Sequence, residues 1–173
     1  MYTPNEHAYR YFWSTLYWKD HFIFNVRACA HALVLLSTVP YNTKSGVYEI
    51  ELGRAADGEG NNVIRETVLG NIVVRNEEAG LLHCDMYRTF WVAHTGGSIR
   101  VGKGGVVDEQ QFMKWDTQTP ITAMAVATTM GNHGSWQFFN TEGFYFLPSS
   151  QYVAILAWRF RPNRFSLVHK LWF

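Results

Sequence analysis

Chemistry in a chain like this requires a nucleophile beside a base, a cluster of metal ligands, or polar groups set against aromatic faces. The nucleophile candidates are the two cysteines, Cys29 and Cys84. Cys84 lies between His83 and Asp85, where a neighbouring base or charge shifts a thiol pKa. Adjacent residues of a strand point to opposite faces, however, so His83 is not placed to serve Cys84. Cys29 sits between Ala28 and Ala30, and the pair has no C-x-x-C spacing. Two buried thiols are the expected reading, with one disulfide as the alternative. No G-x-S-x-G occurs, and the Ser, His and Asp residues form no recognisable triad. No catalytic residue is assigned.

Metal ligation has equally little to work with. Seven histidines are scattered without H-x-H or H-x-x-x-H spacing, so no zinc site is expected. Asp57, Glu59 and Asn61 place oxygen atoms at alternate positions of a glycine-rich loop, as calcium sites do. The full calcium-loop pattern is missing, and a polar hairpin loop explains the same residues.

Aromatic and polar groups do occur together. Trp115-Asp116 opens a polar connection, and Gly131-Asn132-His133-Gly134-Ser135-Trp136 is a loop ending in an indole. A sugar is recognised by such a set: an aromatic face for its C–H groups, with carboxylate and amide groups for its hydroxyls. The sequence-level site is therefore Trp115, Asp116, Asn132, His133 and Trp136. The competing reading makes both indoles apolar plugs at the sheet ends.

The elements that must position these residues are strands. Phe22, Phe24, Val26 and Ala28 alternate with Ile23, Asn25, Arg27 and Cys29, the period of a half-buried strand. Runs at 47–52, 86–92, 98–101, 136–139, 152–160 and 165–172 behave alike, and turn formers separate them, among them Pro40-Tyr41-Asn42, Gly96-Gly97, Gly102 to Gly105 and Pro162-Asn163. No stretch carries a capped helical stripe, and Ile121 to Met130 reads as a buried strand. Short strands at roughly ten-residue intervals predict an all-β antiparallel sandwich of jelly-roll type with little helix. The 173 residues fit one domain.

Composition narrows the function classes. With 47% hydrophobic, 16% aromatic and 17% charged residues, the chain can build a core. A net charge of +1 disfavours nucleic acid as a partner, since domains that bind it are usually clearly basic. No apolar run approaches the ~20 residues of a membrane span. The start lacks a secretory pattern, which is compatible with the cytosol or with a mature secreted form.

Several stretches together resemble the farnesoic acid O-methyltransferase-like domain family. Phe22-Ile23-Phe24-Asn25-Val26-Arg27-Ala28-Cys29 with Ala32-Leu33 is similar to its F-x-F-x-V-R-A-C…A-x-L strand pair. Tyr48 to Gly53, then Asn61-Asn62-Val63-Ile64-Arg65, resembles its Y-E-I-x-L-G…V-I-R signature. Phe90-Trp91-Val92, Ile99 to Lys103, Phe112 to Asp116 and Gly131 to Trp136 follow in the family's order. The resemblance covers about 9–138 and leaves 141–173 as a C-terminal extension. Glu49 and Arg65 fall in its strongest block, and on neighbouring strands of a sandwich they would form a cross-strand ion pair.

The family name implies an S-adenosylmethionine-dependent methyl transfer. Enzymes of the usual kind use a parallel sheet with crossover helices and a glycine loop opening a helix, and Gly102-Lys103-Gly104-Gly105 has no such surroundings. The expectation is a non-catalytic, lectin-like module with no cofactor and a glycan as partner. The alternatives are the methyltransferase itself, or an assembly protein using Arg159, Arg161, Arg164 and Lys170 among the tail aromatics. A homo-oligomer would suit shallow sugar sites, which gain from multivalency. For the fold, Phe24, Val26, Ile50, Leu52, Ile64, Trp91 and Val101 are expected to face inward. Tyr152 to Trp172 is expected to add a hairpin with Trp158 and Phe160 on one face and Arg159 and Arg161 on the other.

Overall fold

A computed structural model describes residues 1–11, 20–54 and 61–139. The described chain is all-β: β1 (Tyr2–Thr3), β2 (Glu6–Tyr11), β3 (His21–Ala28), β4 (Ala32–Ser37), β5 (Val47–Leu52), β6 (Asn62–Glu66), β7 (Asn71–Asn76), β8 (His83–Ala93), β9 (Ser98–Lys103), β10 (Gln111–Asp116), β11 (Ala123–Thr128) and β12 (Gly134–Phe139). Two antiparallel sheets form from them, ordered β1-β12-β3-β8-β9-β10 and β11-β4-β5-β6-β7. They pack face to face as a sandwich. The predicted hairpin over Tyr152 to Trp172, with Trp158 and Phe160, lies outside the described residues, as do Asp57 and Glu59.

Alternation decides which side chains enter the sandwich. Along β3, Phe22, Phe24, Val26 and Ala28 are buried while the residues between them are half-buried or exposed. They meet Val34, Leu36, Ile50, Leu52 and Ile64 from the second sheet and Phe90, Val92, Ile99 and Val101 from the first. The stretch read as a buried strand, Ile121 to Met130, contains β11, all six of whose residues are buried. β4, β5 and β11 are buried on both faces, whereas an antiparallel sheet commonly leaves one face wet. Part of that cover is β2, whose Tyr9 and Tyr11 pack on Leu35, Val47 and Ala125.

Two expectations need correction. Trp91 is fully buried but faces away from the interior, because the neighbouring Phe90 and Val92 take the inward positions of β8. Its indole covers Gly102, where an added Cβ would lie 2.2 Å from the ring, and its Nε1 donates to the Glu109 carbonyl at 2.9 Å. Gly102 is glycine to admit that indole. The second correction concerns the cysteines, which are exposed and disulfide-bonded rather than buried thiols, with Cα atoms 4.2 Å apart. Ala28 is registered on His83, which brings the adjoining Cys29 and Cys84 within reach of each other where the ladder shifts register. A sequence separation of 55 concealed this: the chain leaves the first sheet after β3, builds β4 to β7, and returns with β8.

Candidate functional site

The densest chemistry lies on the outer face of the second sheet. In β5, Tyr48, Ile50 and Leu52 point into the core, so Val47, Glu49 and Glu51 point outward. Glu49 is registered opposite Arg65 of β6. Both carboxylates are buried, Glu49 completely. Arg65 Nη1 joins them, 2.6 Å from Glu51 Oε2 and 3.4 Å from Glu49 Oε2. Glu49 also accepts from the Leu69 amide at 3.0 Å and the Tyr9 hydroxyl, and His7 Nε2 lies 3.0 Å from its Oε1. Glu51 is held by His31 Nδ1 at 2.7 Å and Arg54 Nε at 3.3 Å. Two carboxylates and two guanidinium groups balance in charge, which is the condition for burying them.

The loops around this cluster carry backbone strain. His31, Tyr41 and Leu69 all have left-handed backbone, with φ of 52°, 64° and 56°. Such conformations cost side-chain-bearing residues of order 1–3 kcal/mol each and gather at functional sites. His31 and Leu69 use theirs to reach Glu51 and Glu49. Tyr41 makes no such contact with the cluster: it stands 80% exposed, its ring 4.6 Å from that of Tyr11.

Between β2 and the loop after Pro40 lies an open hollow of about 510 Å³, lined by His7, Tyr9, Arg10, Tyr11, Tyr41 and Thr43. The Tyr11 hydroxyl donates to the Asn42 carbonyl at 3.2 Å. Asn42 braces its own loop, donating to the Ser45 carbonyl and accepting from the Lys44 amide at 3.0 Å. The hollow therefore has tyrosine walls, and two of its lining residues, His7 and Tyr9, are hydrogen-bonded to the buried Glu49.

Burial, and after it the negative charge of Glu49, push the Tyr9 phenol far above its ordinary pKa. The folded state keeps its proton where the unfolded chain releases it, near pH 10. Stability from this group is thus complete below that value and falls as pH rises beyond it. A decline of about 1.4 kcal/mol per pH unit is expected above pH 10. Denaturation followed from pH 8 to 11 tests this: Tyr9→Phe should flatten the alkaline slope, and an unchanged slope would contradict the assignment.

The sequence-level sugar residues are not brought together. Trp115 and Asp116 end edge strand β10, while Trp136 belongs to β12, four strand spacings away in the same sheet, or roughly 19 Å at ~4.8 Å per step. They also lie toward opposite ends, since Trp136 is aligned through Val26 with Arg88, whereas Trp115 pairs with Ile99 beyond Val92. Trp136 is 1% exposed, stacks on Phe138 with Phe24 tilted beside it, and donates from Nε1 to Thr3 Oγ1 at 2.9 Å. It has no free face for a sugar. Trp115 packs against the core, and its Nε1 is buried without a hydrogen-bond partner. Asp116 is exposed, 2.9 Å from Lys114. Asn132 donates to the carbonyls of Thr129 and Met130, and His133 is exposed beside the Tyr2 ring. Asn61 donates to the Glu77 carbonyl at 2.6 Å, and among the described residues no cluster of three His, Cys, Asp or Glu side chains is arranged to hold a metal.

His7, Tyr9, Tyr11, Tyr41, His31 and Glu51 escaped the sequence reading. The signal for the first three was the alternation of aromatic rings through His7-Ala8-Tyr9-Arg10-Tyr11. Gly102-Lys103-Gly104-Gly105 opens a hairpin connection in which the Lys103 amide donates to the Gln110 carbonyl at 3.2 Å.

Among solved structures, the galectin LEC-6 of Caenorhabditis elegans is similar to this chain, with a TM-score of 0.46 and 13% identity over 78% of this chain and 92% of that one. No curated protein matches. The family model described as farnesoic acid O-methyl transferase matches residues 4–142. That span takes in every described strand from β2 to β12, and the chain belongs to the farnesoic acid O-methyl transferase family.

Proposed function

We propose that this domain is a non-catalytic recognition module that binds carbohydrate in the hollow beside β2. The observation that carries the reading is Tyr41, an aromatic side chain held 80% exposed at the mouth of the hollow on left-handed backbone. Hydrophobic burial does not account for it, whereas stacking on the C–H face of a sugar would use it. Tyr11 supports the ring from behind, and His7, Arg10 and Thr43 offer the polar groups that hydroxyls need. The hollow is open, which suits the end or branch of a glycan.

A glycan array, run with and without calcium, is expected to return binders. Tyr41→Ala should then weaken the best of them about tenfold, the order expected for losing one aromatic contact. Stability should stay within about 0.5 kcal/mol, as for an exposed position. An array without binders would remove the proposal. Calorimetric binding of S-adenosylmethionine at micromolar concentration would replace it with the methyl-transfer reading.

A further inference from the structure

β8 departs from regular pairing at the point where the chain re-enters the first sheet. Val26 is registered on Arg88 and Ala28 on His83, so the single residue Arg27 faces four, Cys84 to Tyr87. The surplus chain is pushed out of the sheet as a large bulge. Cys84, Asp85, Met86 and Tyr87 are all exposed, Met86 by 50%. Three fasteners hold this shape. The disulfide ties its base to Cys29. His83 Nδ1 accepts from the amides of Asp85 and Met86 at 3.0 and 3.2 Å. The Arg27 guanidinium sits 5.3 Å from the centre of the Tyr87 ring.

We propose that the Cys29–Cys84 bond is a redox-sensitive clasp that sets the conformation of the 84–87 bulge and with it the display of Met86 and Tyr87. Three features give the bond that role. Both cysteines are exposed, and accessible disulfides are the ones reductants reach. They lie outside the interior cluster, so opening them removes no core side chain. The rest of the β3–β8 ladder, from Asn25–Thr89 to His21–Ala93, is anchored independently of the bond by Phe24 and Phe90.

The chemistry is thiol–disulfide exchange with a dithiol reductant. One reductant thiolate attacks a cysteine sulfur, breaking the S–S bond and forming a mixed disulfide, while the departing thiolate takes up a proton. The second reductant thiol then closes its own disulfide and releases the other cysteine, which is protonated in turn. Two electrons and two protons pass to Cys29 and Cys84, leaving two thiols and an oxidised dithiol. The imidazole of His83 and the Arg27–Tyr87 contact then hold the bulge alone.

Amide hydrogen exchange on the intact protein, with and without dithiothreitol, tests the clasp. Reduction is expected to speed exchange of the 85–88 amides at least tenfold while Leu33 to Leu36 in β4 keep their protection. The variant Cys29→Ser with Cys84→Ser should reproduce the reduced pattern and lose its response to dithiothreitol. Unchanged exchange at 85–88 on reduction would overturn the proposal. Loss of protection throughout β4 would overturn it too, by making the bond a tie for the whole domain. Should the double variant fail to fold, the titration of the wild-type protein still decides between these outcomes.

Discussion

Replacing Arg65 with methionine is expected to destabilise the domain by about 3–5 kcal/mol, the range for removing one partner of a buried ion cluster. Arg65 is 7% exposed and links two buried carboxylates through one nitrogen. Methionine fills much of the volume but leaves Glu49 and Glu51 as buried negative charges of like sign on one face of β5. His7, Tyr9 and the Leu69 amide would remain on Glu49, and His31 and Arg54 on Glu51. Those donors satisfy lone pairs without replacing the lost charge between the two groups. Urea denaturation measures the cost. Converting Glu49, Glu51, Arg54 and Arg65 together to apolar residues should recover much of it, since an apolar replacement of a whole buried cluster is often close to neutral. A single-variant loss below about 1 kcal/mol would show that the carboxylates reach water.

Trp136→Ala is expected to cost a similar 3–5 kcal/mol, as truncating a fully buried aromatic does. The loss combines the cavity left beside Phe24 and Phe138 with the unpaired Thr3 hydroxyl that Nε1 serves. Trp136→Phe should retain much of the stability and leave glycan affinity unchanged. A glycan-binding defect in the phenylalanine variant, at full stability, would restore the indole to a ligand site and move that site to β12 in the first sheet. The stability readout separates this case from Tyr41→Ala, where affinity falls and folding does not.

Residues near one another in the chain were legible because their constraint is local. The alternation Phe22-Phe24-Val26-Ala28 shows which face of β3 is apolar without any knowledge of its partner, and turn formers mark where each strand stops. From these alone the all-β sandwich follows, with Phe24, Val26, Ile50, Leu52, Ile64 and Val101 in its interior. Trp91 shows where local reasoning fails. Parity against Phe90 and Val92 places its ring outside, and only the missing side chain of Gly102, together with the Glu109 carbonyl, explains why so large an apolar group is buried there.

What tertiary structure decided is which distant segments meet, a matter of strand order and register that residue types do not encode. Trp115 and Trp136 share a composition suited to sugars, but strand order puts them four strands apart in one sheet. For Cys29 and Cys84, 55 residues apart, a disulfide was the alternative reading, and the pairing of β3 with β8 decides for it. The hollow exists only because β2 runs beside β11 and sends its side chains over the second sheet, carrying His7 and Tyr9 to a glutamate some forty residues away. A strand's own sequence states what it can bury; the sheet it joins determines against what. Here that pairing turned two expected binding residues into packing, and made an ordinary run of alternating aromatics near the N-terminus into the wall of the candidate site.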